Sequence, residues 1–262
     1  MVVAVTDHLR TACARVCAGL ALALGQRCQL CAAVLTHAAP MRLCPDCLAQ
    51  LTLPQAGYCP RCGISAHNMR LPMLCPTCHT APPPWSALVM HGPYAGQLKE
   101  LIHRHKFNQD HGVSRLLGDV LCTAWDAQNL PVPDLIVPVP LRTRRLLWRG
   151  FNQSLELGRC LARHVHCDLA PQGLHKVRDT KSQSSLRRAE RLRNVRGAFA
   201  ATRTMKGQCV VIVDDVMTTG ATLTACATAC RQAGAREVLV AVLARAQEHK
   251  PVSQYKQDRA EL

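Results

Sequence analysis

Residues 210–222 read Val-Val-Ile-Val-Asp-Asp-Val-Met-Thr-Thr-Gly-Ala-Thr, and no other stretch narrows the fold as much. Four consecutive apolar residues, three of them β-branched valines, suit a short strand buried on both faces of a parallel sheet. Two carboxylates follow at its carboxyl end, where open α/β sheets place their ligands. Thr218, Thr219, Gly220, Ala221 and Thr222 then open an Ala-rich helix expected to run to about Arg231. Backbone N–H groups at a helix start, interleaved with hydroxyls, form an anion cradle. A phosphate cradle beside two acceptors for vicinal hydroxyls outlines a ribose 5-phosphate. The alternative is an ordinary buried strand with a capped helix, in which adjacent aspartates would be costly without a ligand.

The cysteines impose a second constraint. Of 16 in the chain, eight form four Cys-x-x-Cys pairs: Cys28, Cys31, Cys44 and Cys47, repeated as Cys59, Cys62, Cys75 and Cys78. Every member of the second set stands 31 residues after its counterpart. This spacing suits metal knuckles in a reducing compartment better than a disulfide scaffold. Two knuckles close a tetrahedral site of four thiolates, and a site filled by four cysteines leaves no open position, the mark of structural zinc. The joint displacement favours sequential pairing within each set of four, with a crossed arrangement as the alternative. His37, His67 and His79 lie nearby and read as surface residues. A redox dithiol is the competing reading of any single pair.

Charge is the third signal. The net charge is +15, and residues 134–206 hold 16 Lys and Arg against 5 Asp and Glu. Such a field attracts polyanions: a pyrophosphate, a nucleotide or a nucleic acid. No run of 18 apolar residues is present, so no transmembrane segment is expected. Val5, Leu9, Val16, Leu20 and Leu24 share one helical face, and residues 1–25 are expected to hold an amphipathic leader helix. A weak export or membrane-surface signal is the lesser reading of that leader.

Between these landmarks the chain reads as a body with a stiff Pro82-Pro83-Pro84 boundary. A strand is expected from Trp85 to His91. Helical spacing follows from Tyr94 to about Asn129, interrupted by a polar turn from Lys106-Phe107 through Gly112. His103, Arg104, His105 and Lys106 read as a solvated helix end, or alternatively as an anion contact. Leu135 to Pro140 is a buried strand ending in prolines, which fits where the ladder is finished. Arg142, Arg144, Arg145 and Arg149 come next, and Gly150-Phe-Asn-Gln-Ser154 opens a helix to about His164. A short strand is expected from Leu174 to Arg178. The segment with Lys181, Gln183, Arg187, Arg188, Arg191 and Arg193 is long, polar and cationic, as a mobile lid over an anionic ligand would be; its alternative is a solvated basic helix. Guanidinium forks match pyrophosphate oxygens, so Arg142, Arg149, Lys181, Gln183, Arg187 and Arg191 are the candidate pyrophosphate or lid residues. The sheet is expected to close with Gln208 to Val213 and Glu237 to Ala244. The tail, 249–262, is expected to be disordered.

The 210–222 motif resembles the phosphoribosyl pyrophosphate (PRPP) motif of type I phosphoribosyltransferases. Taken with the cysteine knuckles, Tyr94, Lys106-Phe107, the Pro-Val-Pro strand end, Arg149-Gly-Phe-Asn-Gln-Ser154, Thr180 with Gln183, and Arg191 with Asn194, the order is similar to that of the ComF family of competence-associated proteins, and within it to the GntX type linked to use of DNA as a nutrient. The resemblance covers residues 26–246; the leader before Cys28 departs from it. It implies an α/β fold: a type I phosphoribosyltransferase-like parallel sheet flanked by helices, with an N-terminal double zinc ribbon. The expected division is a leader at 1–25, a double ribbon at 26–83 and a phosphoribosyltransferase-like domain at 84–248. The resemblance further implies Asp214 and Asp215 as catalytic residues holding the ribose hydroxyls. PRPP would contact these two with Met217, Thr218, Thr219, Gly220, Ala221 and Thr222. Two structural zinc ions, Mg2+ bound with PRPP and a cytoplasmic location are also implied. Two functions follow. One is phosphoribosyl transfer to an acceptor during DNA uptake or use. The other is a non-enzymatic adaptor or PRPP sensor that meets single-stranded DNA or uptake-machinery partners through its ribbons and basic face.

Overall fold

The computed structural model describes residues 27–35, 40–51, 53, 57–65, 73–107, 111–141, 150–178 and 194–246. The leader, the arginines of 142–149, the cationic segment 179–193 and the tail lie outside the described residues. The chain divides into two compact units, Met1–Thr52 and Leu53–Leu262.

The first unit contains the first cysteine set. Its described elements are a bridge between Arg27 and Val34, a single 3-10 turn (Pro40–Arg42) and a short helix, α1 (Pro45–Ala49), which begins immediately after Cys44 with proline in its first turn. Proline is tolerated there because its missing N–H would have had no helical acceptor.

The second unit begins with the same device. A bridge joins Tyr58 and Ser65, and helix α2 (Pro76–Thr80) starts after Cys75. Both bridge positions, like the cysteines, are displaced by 31 residues from those of the first set, so the sequence repeat is also a repeat of local structure.

A five-stranded parallel sheet follows, built from β1 (Ala87–Pro93), β2 (Leu135–Pro138), β3 (Asp168–Leu169), β6 (Cys209–Met217) and β7 (Glu237–Arg245), in the spatial order β1-β7-β6-β2-β3. The helices are α3 (Gly96–Phe107), α4 (His111–Asp126), α5 (Gln153–Val165) and α6 (Ala221–Gln232). Helices α4 and α5 pack on the strands, as does α6. The central strands are covered on both faces: Val210, Val211, Ile212 and Val213 are all inaccessible to solvent, as are Val238, Val240, Ala241 and Val242. That is why these strands read as unbroken apolar runs rather than as alternating ones. One core gathers Leu135, Val137, Val210, Ile212, Val240 and Val242 with Leu223, Cys226 and Ala227 of α6. A separate antiparallel pair, β4 (Leu174–Lys176) with β5 (Phe199–Ala201), packs its Leu174 and Phe199 into the same core.

Two boundaries differ from the expected ones in ways that shape the site. Strand β6 does not end at Val213 but runs four residues further, because β7 continues to pair with it up to Met217 opposite Arg245. Its other neighbour, β2, stops at Pro138 opposite Val213. Asp214 and Asp215 therefore stand on a strand flanked on one side only, beside the gap that the shorter β2 leaves. The second difference concerns Lys106 and Phe107, which belong to α3 rather than to a turn.

Candidate functional site

The start of α5 is tied both to the end of β2 and to Asp214. Asn152 caps that helix, its side-chain oxygen accepting from the Ser154 backbone N–H at 3.1 Å. Its side-chain N–H donates to the Val139 carbonyl at 3.2 Å, tying the helix start to the end of β2. Ser154 is buried, and its hydroxyl donates to Asp214 Oδ1 at 2.9 Å. The same oxygen accepts from the Asp215 backbone N–H at 2.9 Å. Asp215 is paired from the other side: Lys106 Nζ lies 2.9 Å from its Oδ2. Each carboxylate is thus held through one oxygen and carries a second. His105, the neighbour of Lys106, is inaccessible to solvent and packs against the Phe151 ring at 5.3 Å between centroids.

This arrangement corrects the reading of a solvated helix end for His105 and Lys106, while His103 is exposed and Arg104 half-buried. His105 and Lys106 turn inward from the last turn of α3, and the lysine meets the second aspartate. Burial, followed by the charge of Asp215, raises the Asp214 carboxyl from 3.8 to about 7, although the Ser154 and Asp215 hydrogen bonds oppose the shift. A carboxyl that titrates near neutrality beside a gap in the sheet marks a candidate functional position.

Beyond the aspartates the chain turns into α6 through Thr218, Thr219 and Gly220. Gly220 caps the helix with φ 78°, a left-handed backbone natural to glycine. Thr219 Oγ1 accepts from the Ala221 N–H at 3.4 Å. Thr218 is exposed and Thr219 and Thr222 half-buried, whereas the side chain of Met217 is buried; what Met217 can offer a ligand is backbone. The start of a twelve-residue helix thus lies next to the paired carboxylates, joining an anion-binding element to two hydroxyl acceptors. Sequence reasoning included these residues but left out Lys106, Ser154 and Arg245 as site residues. Arg245 is buried at the last β6–β7 pair, and its guanidinium donates to the Met217 carbonyl at 3.3 Å and also to that of Thr218. Arg142, Arg149, Lys181, Gln183, Arg187 and Arg191 lie outside the described residues.

The thiols gather as the two sequential sets. Within each, all four sulfurs lie within 4.8 Å of one another. Cys31 and Cys44 sulfurs are 3.6 Å apart, and Cys62 and Cys75 repeat the distance at 3.6 Å. A tetrahedral zinc with bonds of about 2.3 Å spaces its sulfurs by about 3.8 Å, so the donor sets fit that ion. Burial raises the Cys59 thiol, but backbone N–H groups of Cys75, Arg61 and Cys62 outweigh it and bring the thiol down to about 7. Cys28 shows the same balance and falls to about 6. His79 is exposed; His37 and His67 lie outside the described residues. Among the described residues, no helix is long and apolar enough to cross a membrane.

Comparison with known proteins agrees with this architecture. A family model described as "Phosphoribosyl transferase domain" matches residues 152–260. The chain is 38% identical over 207 residues to DNA utilization protein YhgH of Escherichia coli K12, covering 78% of this chain and 90% of that protein. It is 33% identical over 218 residues to competence protein F of Haemophilus influenzae, covering 80% and 93%. It is 25% identical over 192 residues to competence protein ComFC of Bacillus subtilis, covering 70% and 75%. With these relatives matched over most of their length, and with the parallel sheet and the paired aspartates of the motif in place, the chain belongs to the ComF family of proteins with a phosphoribosyltransferase domain.

Proposed function

We propose that this chain binds PRPP with Mg2+ and serves in the use of DNA taken up by the cell. The observation that carries the reading is the continuity of β6 and α6: two anchored carboxylates lead within three residues into a Thr-Thr-Gly helix start whose Thr218 is exposed and whose Thr219 is half-buried. Asp214 and Asp215 accept the ribose hydroxyls, each through the oxygen that Ser154 or Lys106 does not hold. Backbone N–H groups and hydroxyls of Thr218 to Thr222 take the 5-phosphate. In phosphoribosyl transfer C1 of the ribose gains positive charge as pyrophosphate departs. The aspartates place negative charge near the sugar, and Arg142, Arg149, Lys181, Gln183, Arg187 and Arg191 are assigned to the pyrophosphate. Mg2+, a hard cation that prefers oxygen donors, arrives with PRPP and neutralises its diphosphate. Two zinc ions, one in each cysteine set, hold the knuckles together. Relatives named for DNA utilization and for competence support the cellular role, and a cytoplasmic site of action accords with the PRPP it would need there.

The test is a thermal shift with PRPP and Mg2+, since a ligand that binds only the native state raises its stability. A shift in the wild type that vanishes in the Asp214→Asn, Asp215→Asn double variant is expected. An undiminished shift in that variant would overturn the assignment.

The charge of residues 134–206, with 16 cations against 5 anions, supports a second reading. In it the chain is an adaptor or PRPP sensor for single-stranded DNA or uptake proteins, without group transfer. Release of pyrophosphate from PRPP that depends on an added base, nucleoside or single strand separates the two. Transfer requires such release, and an adaptor shows none.

A further inference from the structure

The second cysteine set is built into the sheet, and the residues that fasten it are the ones that touch the phosphate loop. Arg245 ends β7 and is only 4% exposed. A guanidinium that deep must find acceptors, and its acceptors include backbone carbonyls on two sides. Nε donates at 2.9 Å to the carbonyl of Cys62, itself a member of the second cysteine set. Nη1 donates to Met217 O at 3.3 Å, and also to Thr218 O and Ala246 O. Trp85 makes a parallel tie. Its indole N–H donates to Arg61 O at 2.7 Å, and the far edge of its ring would stand 3.6 Å from a methyl placed on Gly220. The knuckle lies so close to the strands that a methyl on Gly63 would meet Met90 at 2.7 Å, Leu88 at 3.0 Å and Arg245 Cγ at 3.3 Å. Leu88 N–H donates to Pro60 O at 2.9 Å, which fixes the first turn of the knuckle to β1.

We propose that Arg245 is a positioning residue for the phosphate loop, held in place by the Cys59–Cys78 knuckle, so that the knuckle sets how tightly the loop binds a sugar phosphate. The inference rests on reading Thr218 to Thr222 as the 5-phosphate cradle. A trans peptide is planar, with its carbonyl and the following N–H pointing in opposite directions. Fixing the carbonyls of Met217 and Thr218 on Arg245 therefore fixes the N–H groups of Thr218 and Thr219 on the opposite side. Those N–H groups stand in the loop that leads into α6, where a phosphate would be bound. A cysteine set that closes around a metal holds the Cys62 carbonyl still, and the guanidinium transmits that position to the loop. Pyrophosphate, assigned to residues elsewhere, does not depend on this tie.

Isothermal titration of ribose 5-phosphate and of inorganic pyrophosphate, with metal content measured on the same samples, tests the proposal in the full chain. Arg245→Lys and Arg245→Met should bind ribose 5-phosphate about tenfold more weakly, the loss expected for hydrogen bonds from a charged donor. Their pyrophosphate affinity and metal content should match the wild type. Trp85→Phe should weaken ribose 5-phosphate in the same direction, and with Arg245→Lys it decides the matter if Arg245→Met does not fold. Unchanged ribose 5-phosphate binding in the folded variants would overturn the proposal. So would an equal loss of both anions, or loss of metal, because Arg245 would then only support the fold. A wild type that binds pyrophosphate but not ribose 5-phosphate would instead remove the cradle reading on which the inference stands.

Discussion

Asp214 takes its character from three neighbours: a buried strand beneath it, Asp215 beside it and the Ser154 hydroxyl on its Oδ1. Because its folded pKa, about 7, lies above the ordinary 3.8, the folded state holds the proton more tightly than the unfolded chain. The group's contribution to stability is greatest below about pH 4 and drains away as the pH rises through about 7. Asp214→Asn removes that titration. Its melting temperature relative to wild type should therefore rise between pH 5 and pH 8, by roughly 2–4 °C for each kcal/mol involved in a unit of this size; parallel melting curves across that range would contradict the assignment. Ligand hydroxyls donate best to an ionised carboxylate, so PRPP affinity should climb over the same interval. Ser154 and Lys106 were within reach of the sequence, since both stand in motifs that were singled out. Their roles were not legible, because a lysine in the last turn of a helix ordinarily faces water, whereas this one meets Asp215 beside the packing of His105 on Phe151.

At the scale of elements, the β6–α6 unit was the most legible part of the chain. Its apolar run, paired acids and glycine-led helix are each local signals, and all three agree. The length of β6 was not legible, since it depends on β7 pairing that persists to Met217 while β2 stops at Pro138. Arg245 gave no signal at all: its partner Cys62 is 183 residues away in sequence, and a single arginine at a strand end carries no pattern. Gly220 offers the sharpest test of the loop. An alanine there must adopt a left-handed backbone and displace the Met217 methyl, which its Cβ would meet at 2.7 Å. Gly220→Ala should cost about 1–2 kcal/mol in urea unfolding and weaken PRPP further by tilting the start of α6. A variant as stable and as tight as wild type would show that the loop tolerates another geometry.

For the whole molecule, the duplicated cysteine sets predict two zinc equivalents per chain on metal analysis; one equivalent, or iron with visible absorbance, would contradict the repeat. Single-stranded DNA should bind with an affinity that falls steeply with salt, because neutralised phosphates release counterions. With aromatics only 3% of the chain, stacking should add little. Replacing Arg187, Arg188, Arg191 and Arg193 together by Ala should abolish most of that binding in fluorescence anisotropy, and an affinity insensitive to salt would count against the basic segment. The pairing of β1 with β7 has a bearing on how the chain is made. The first strand of the sheet pairs only with the last, so during synthesis β1 waits for some 150 residues for its hydrogen-bonded strand partner. Thiols of the first set lie in a unit that ends at Thr52 and can close on a metal while the ribosome is still working. Those of the second set acquire Arg245 as a neighbour only when the chain is nearly finished. A nascent chain arrested after Gln232, short of β7, should therefore hold its first metal ion firmly and its second loosely, which places completion of the second knuckle among the last events of biogenesis.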